Sequence, residues 1–282
     1  MNPKYPIYIP SKGRSDCAIT ADALVAMKVP FTLVVEPPDY EAYVARYGAG
    51  AVLELPFANL GQGSIPARNW IWEHARSHNA ARHWVIDDNI QRFYRVNNNR
   101  RIQVSSGTIF RCAEDFTDRF TNVAFAGFNY MGFVKDREPN IQPFMLNTRI
   151  YSMTLIDTAL PYRWRGRYNE DTDICLRALK DNLVTVLFNA FVGDKVATMR
   201  MRGGNTDNVY NTGDHRRAFA ESLRDQHPDV VSVTWKFDRW HHQVDYSRFK
   251  RNALVYRDGV VPTNGSNEYG MILRRQSSER PL

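Results

Sequence analysis

Trp84-Val85-Ile86-Asp87-Asp88-Asn89 is an apolar run of strand-forming residues that ends in two adjacent acids and an amide. On a strand from His83 to Ile86 the acids fall at the carboxyl end, the edge at which open α/β sheets bind their ligands. Carboxylate oxygens there suit Mg2+ or Mn2+, which take one or two protein acids and complete their shell with substrate phosphate oxygens. Such an ion would bridge the protein to a diphosphate and neutralise charge on a departing nucleotide. Taken alone, the same letters also describe a polar turn after a buried strand.

Upstream of this run, short apolar segments alternate with helical ones: Ile7 to Ile9, Asp16 to Lys28, Phe31 to Val35, Asp39 to Tyr47 stopped by Gly48, and Val52 to Leu55. A helix from Ala67 to Ala75, with Pro66 near its first turn, leads into the strand at His83. Four strands with helical crossovers predict an α/β fold with a mostly parallel sheet and helices on both faces. Downstream the pattern is mixed: a helix at Thr108 to Thr117, strands at Val123 to Phe128 and Arg149 to Leu155, a helix at Asp171 to Asp181 and a strand at Leu183 to Phe188. The Gly203-Gly204-Asn205 run and the polar stretch to Asp214 read as a loop, followed by a helix from His215 to Asp225. One domain over 1–263 is expected, with a donor half (1–100), an acceptor half (101–263) and a loose tail over 264–282.

Two further clusters could carry chemistry. Gly61-Gln62-Gly63-Ser64-Ile65-Pro66-Ala67-Arg68-Asn69 is a glycine-rich turn entering a helix, where backbone amides and the Arg68 guanidinium would converge on phosphate; it is also an ordinary loop-to-helix junction. Tyr168-Asn169-Glu170-Asp171-Thr172-Asp173 places acids at a helix start, where the dipole favours them as caps. Three acids in four positions exceed what a cap requires, and Asp171 suits a general base for an acceptor hydroxyl. His241 and His242 would face opposite ways on a strand, so at most one serves a given site. Cys17, Cys112 and Cys175 are too far apart for a zinc or redox pair and read as core residues.

With 43% apolar and 24% charged residues the 282-residue chain is globular in composition. Its net charge of +7 favours anionic partners, whether nucleotide-sugar, nucleic acid or membrane surface. No apolar window is long enough to cross a bilayer and no secretory leader is evident, so a cytoplasmic protein without a membrane partner is expected. Nothing in the sequence calls for a protein partner.

Taken in order, IYIPSKGR, FTLVVEPPD, GSIPARNW, WVIDDNI and GRYNEDTDICLRAL resemble the GT-A glycosyltransferase superfamily over about the first 190 residues. The opening IPSKGR and the DDNI at the metal position resemble the TET-associated glycosyltransferases of bacteriophages, relatives of the enzyme that makes base J. The resemblance implies a GT-A, Rossmann-like mixed sheet, mostly parallel and flanked by helices, and a cytoplasmic enzyme of an infected bacterium. It implies transfer of a sugar from a UDP-sugar such as UDP-glucose to 5-hydroxymethylcytosine or 5-hydroxymethyluracil in DNA, with inversion and with Mn2+ or Mg2+. Pro10, Ser11, Arg14 and Glu36 would meet uridine and ribose, Arg68 the diphosphate, and Asp87, Asp88 and Asn89 the metal motif, where Asn89 departs from the usual aspartate. Glu170 and Asp171 match the acidic pair facing the acceptor, and His241 or His242 the late histidine that superfamily members often give the metal. Arg163, Trp164, Arg165 and Arg167, just before those acids, lie where phosphate grip and base stacking would be useful, and the same stretch also reads as a solvated loop with one packed tryptophan.

Three other readings keep part of this. The acceptor becomes a polysaccharide, lipid or protein; the acids become structural in a non-enzymatic nucleic-acid-binding protein; or the same sheet serves a nucleotidyltransferase that releases pyrophosphate.

Overall fold

The computed structural model describes residues 1–137, 141–166, 168–196 and 215–260. The loop expected at 203–205 and the tail expected at 264–282 lie outside them. The first half follows the predicted rhythm: β1 (Ile7–Pro10), α1 (Ile19–Ala26), β2 (Thr32–Val35), α2 (Tyr40–Tyr47), β3 (Val52–Glu54), α3 (Ile65–Ser77) and β4 (Arg82–Ile86). These strands run parallel in the order β3-β2-β1-β4. Every residue of β4 is buried, as a strand covered on both faces requires. Gly48, at φ 84, stops α2. Helix α1 starts at Ile19 rather than Asp16, because Cys17 N–H bonds back to Arg14 O at 3.0 Å in a turn that precedes it.

The second half is mixed. β5 (Ile90–Asn97) and β6 (Arg100–Gln103) form a hairpin that periodicity did not predict; its turn residues Asn98 and Asn99 have φ of 48° and 61°, the primed-turn geometry that matches strand twist. α4 (Thr108–Thr117), β7 (Val123–Tyr130), β8 (Phe144–Leu146), β9 (Met153–Asp157), α5 (Glu170–Lys180) and β10 (Val184–Lys195) follow. β9 runs antiparallel between β4 and β7, and β10 lies parallel to β7 and antiparallel to β5 and β8. The sheet reads β3-β2-β1-β4-β9-β7-β10-β5-β6. β10 runs on past the predicted end at Phe188 because a register shift between Phe188 and Val192 lets its second half pair with β5. Another irregularity, between Asp194 and Lys195, precedes the site described below. α6 (Arg216–Gln226), β11 (Val231–Lys236) and β12 (Arg239–Val244) complete the described chain, the last two as a separate hairpin.

The sheet divides the core by side-chain alternation. Trp84 and Ile86 of β4 join a cluster with Phe93, Phe110 of α4 and Phe128, while Val85 faces Ile71 and Trp72 of α3 and Ile174 and Cys175 of α5. Cys175 is core as predicted; Cys17 and Cys112 are only half-buried. At Gly193 a Cβ would stand 2.3 Å from Met153 Sδ, so the bare backbone of β10 leaves room for the methionine side chain. Leu176 and Leu179 of α5 pack with Leu223 and Val231, which ties α6 and β11 to the helix that begins at the acids. Among the described residues no helix is long and apolar enough to cross a membrane.

Candidate active site

The carboxyl ends of β1, β2 and β4 open on a pocket of about 340 Å³. Pro10, Ser11, Arg14, Glu36, Arg68, Asp87, Asp88, Asn89, Glu170 and Asp171 all line it, so the three motifs far apart in sequence meet there. Lys12, which no motif singled out, pairs with Glu36 at 2.6 Å on the same rim.

Asp88 is nearly enclosed. Arg14 pairs with it, and Ser11 Oγ donates to its Oδ2 at 2.7 Å. Ser11 Oγ also lies 2.6 Å from the hydroxyl of buried Tyr43, which accepts the Arg14 N–H at 3.1 Å. Burial raises the Asp88 carboxyl above its ordinary range even though Arg14 and Ser11 pull it down.

Asp87 belongs to a second network. Arg68, 5% exposed, reaches Asp87 Oδ1 at 2.9 Å through one terminal nitrogen, and Glu170 at 3.2 Å and Asp171 at 2.7 Å through the other. The other oxygen of Asp87 takes Lys195 Nζ at 3.0 Å and the Ser152 hydroxyl at 2.5 Å. Two cations, Arg68 and Lys195, therefore face three acids, Asp87, Glu170 and Asp171. Burial would raise Asp87, yet Lys195 and Arg68 hold it well below the usual carboxylate range. Asp171 is left short of positive charge: burial pushes it up to about 7, opposed by Arg68 and helped by Glu170 and Asp87. A carboxyl poised there can take a proton near neutral pH.

No side-chain hydrogen bond caps α5, although Glu170, Asp171 and Asp173 all stand in its first turn, where the helix dipole favours acids. Asn169 adopts a left-handed conformation, φ 56, and its carbonyl accepts the N–H groups of Thr172 and Asp173, both at 3.0 Å. Its amide donates to Phe219 O of α6 at 2.9 Å, and Tyr168 stacks on Phe219. The start of α5 is thereby clamped to α6, and Tyr168 and Phe219 join the pocket wall.

Several predicted residues lie elsewhere. Arg163 pairs with Glu73 and covers the Trp72 ring; Trp164 is buried beneath the Arg68 guanidinium at 4.8 Å; Arg165 bonds Asp173. None of the three lines the pocket, and each has an intramolecular partner, with 49% of the Arg165 side chain still exposed. Arg167 lies outside the described residues. His241 stands on β12, where it accepts from Arg239 Nε at 3.0 Å, and is not among the pocket-lining side chains. Its neighbour His242 is pushed down to about 4 by burial, with Arg149 and His241 adding to the effect.

Among the described residues no group of three or more histidine, cysteine or acidic side chains is arranged to hold a metal ion. A hard cation still fits one feature: Asn89 Oδ1 is buried at the pocket without a hydrogen-bond partner, next in sequence to the carboxylates of Asp87 and Asp88. The oxygens of Asp87 are taken by Arg68, Lys195 and Ser152 and those of Asp88 by Arg14 and Ser11, so a Mg2+ ion there would displace some of these contacts and draw the rest of its shell from phosphate and water.

Lys195, Ser152, Tyr43 and Tyr151 are site residues that sequence reasoning missed. Only Lys195 left a trace, at the end of an apolar run that continues past Phe188.

No curated protein matches the sequence. Among solved structures the chain is similar to a protein from Desulfovibrio desulfuricans G20 described as a nucleotide-diphospho-sugar transferase, at 10% identity over 79% of this chain and 96% of that one, TM-score 0.41. It is similar to a CMP:2-keto-3-deoxy-manno-octonic acid synthetase complexed with CTP, at 11% identity over 66% of this chain and 89% of that one, TM-score 0.40. The family model described as TET-associated glycosyltransferase matches residues 5–204, a span that holds β1 to β10 and every acid of the pocket. The chain belongs to the TET-associated glycosyltransferase family and is a glycosyltransferase.

Proposed function

We propose that the protein transfers a sugar, glucose in the first instance, from a UDP-sugar to the hydroxymethyl group of 5-hydroxymethylcytosine or 5-hydroxymethyluracil in DNA. The observation that carries the reading is the meeting of Asp171, Glu170 and Asp87 around Arg68 in one pocket, with burial raising the Asp171 carboxyl above its ordinary range. Asp171 accepts the proton of the hydroxymethyl group as its oxygen bonds to the anomeric carbon. The bond from that carbon to the diphosphate oxygen breaks, UDP departs, and attack from the opposite face inverts the centre. Arg68 keeps Asp171 and Glu170 in place, and Ser11, Arg14 and Glu36 form the end of the pocket assigned to uridine and ribose. A divalent cation held by Asp87, Asp88 and Asn89 would supply charge to the departing diphosphate. Family membership and the net charge of +7 support DNA as the acceptor.

The test is transfer of labelled glucose from UDP-glucose, with Mn2+ or Mg2+, to DNA carrying either hydroxymethylated pyrimidine, beside unmodified DNA and the Asp171→Asn variant. Label confined to modified DNA and lost in the variant is the expected result. Hydrolysis of UDP-glucose without any labelled DNA would turn the search to polysaccharide, lipid or protein acceptors.

A further inference from the structure

A second cleft, of about 460 Å³, opens beside the donor pocket, and Tyr151 lines both. Its aromatic wall is made of Tyr151 and Tyr130, with rings 15° from parallel, and of Phe133, which leans on Tyr130 at 5.8 Å and is 64% exposed. Behind the wall stand the catalytic groups. Tyr151 Oη meets Thr172 Oγ1 at 3.2 Å, one residue beyond Asp171, and Tyr130 Oη meets Ser152 Oγ at 2.7 Å and Lys195 Nζ at 3.4 Å. A planar ring laid on this wall would have its substituent close to the donor pocket.

The rest of the lining suits an uncharged heterocycle. Asn129 donates to Asn189 Oδ1 at 2.8 Å and Asn189 donates to Gln142 O at 3.0 Å, and each of these amide nitrogens carries a second N–H. Arg149, with its guanidinium 5.0 Å from the Tyr151 ring centre, is the only charged side chain of the lining among the described residues. Outside the cleft the charge changes. The 131–137 segment that carries Phe133 is docked on the β5–β6 turn by Arg137 N–H to Asn99 O at 2.6 Å. Arg95, Arg100, Lys135 and Arg137 are exposed along that junction, with Asp136 the acid among them. Stacking rings, free amide donors and a basic rim are what a base turned out of a polyanionic strand requires.

We propose that this cleft is the acceptor subsite, holding the pyrimidine turned out of its strand against Tyr130, Phe133 and Tyr151, while the basic junction of the β5–β6 hairpin carries the phosphodiester backbone. The inference rests on the DNA-acceptor reading above. It places the nucleic acid on a different surface from the Arg163–Arg165 segment.

Two measurements test it on the full chain. An oligonucleotide with 5-iodo-2′-deoxycytidine at the acceptor position is irradiated on the protein and the cross-linked residue is located by mass spectrometry. The expected sites are Tyr130, Phe133 or Tyr151; cross-links confined to the exposed aromatics of the β11–β12 hairpin, Trp235 and Phe237, would overturn the assignment. In steady state, Phe133→Ala and Met145→Trp, both at exposed positions of the lining, raise the KM for modified DNA about tenfold while the KM for UDP-glucose stays put. If wild-type protein labels DNA and both variants match it, the cleft assignment fails and the DNA reading survives. If wild-type protein binds UDP-glucose and labels no DNA, both fail together.

Discussion

Asp171 and Asp173 share the first turn of α5 and have opposite surroundings. Asp173, 1% exposed, is held by Arg165 at 2.9 Å, Arg177 at 3.1 Å and His227 at 2.8 Å. Burial alone would raise it, but those partners keep it below the ordinary carboxylate range. Asp171 shares a single arginine with two other acids and rises to about 7. One acid has more cationic partners than it needs and the other has too few, so the first holds the structure together and the second is ready for proton transfer.

Asp171→Asn is the strongest test of that contrast. Transfer should fall about 10²–10⁴-fold while the thermal midpoint holds, because the group removed is a base and not a brace. A large loss of stability in this variant would break the comparison. Asp173→Asn should do the reverse. It leaves Arg165, Arg177 and His227 without their shared acid and costs about 3 kcal/mol in urea denaturation, the lower end for a broken buried pair because Arg165 reaches solvent. Turnover per folded molecule should change little.

Acidity gives a smaller effect with a definite sign. In the proposed mechanism Asp171 works only when deprotonated, so turnover should drop about tenfold from pH 8 to pH 6 as the carboxyl titrates near 7. A flat profile would remove Asp171 as the base. Lys195→Met sharpens the point: Lys195 lowers Asp171, so its loss should move the midpoint of the pH–rate profile upward. A downward shift would mean that the lysine acts on some other group.

The parallel half of the fold was legible because each strand and helix there is announced locally, by apolar period and by stops such as Gly48. Asp87 and Asp88 were legible for the same reason, as the polar end of a wholly buried strand. The β5–β6 hairpin was not, because both strands carry arginines, β6 is largely exposed, and its turn is Asn98-Asn99 in place of a glycine pair. The roles of the charged residues were hidden for a different reason. Arg163, Arg165 and Arg68 look alike in sequence, and what separates them is which acid the fold brings opposite each. His241 illustrates the limit: its place on β12 follows from how the hairpin packs on α6, which no local pattern states.

The reversal of β9 has a mechanical consequence. Because β9 runs against its neighbours, its beginning reaches the ligand edge, with Met153 opposite Ile86 and Tyr151 and Ser152 just before it. Ser152 turns this corner in the left-handed region, φ 57, a conformation that a non-glycine residue keeps only when its surroundings hold it. Its hydroxyl grips Asp87, while the adjacent Tyr151 walls the cleft. The two recesses therefore share one stretch of chain: a single peptide bond joins the tyrosine that walls the cleft to the serine whose hydroxyl holds Asp87.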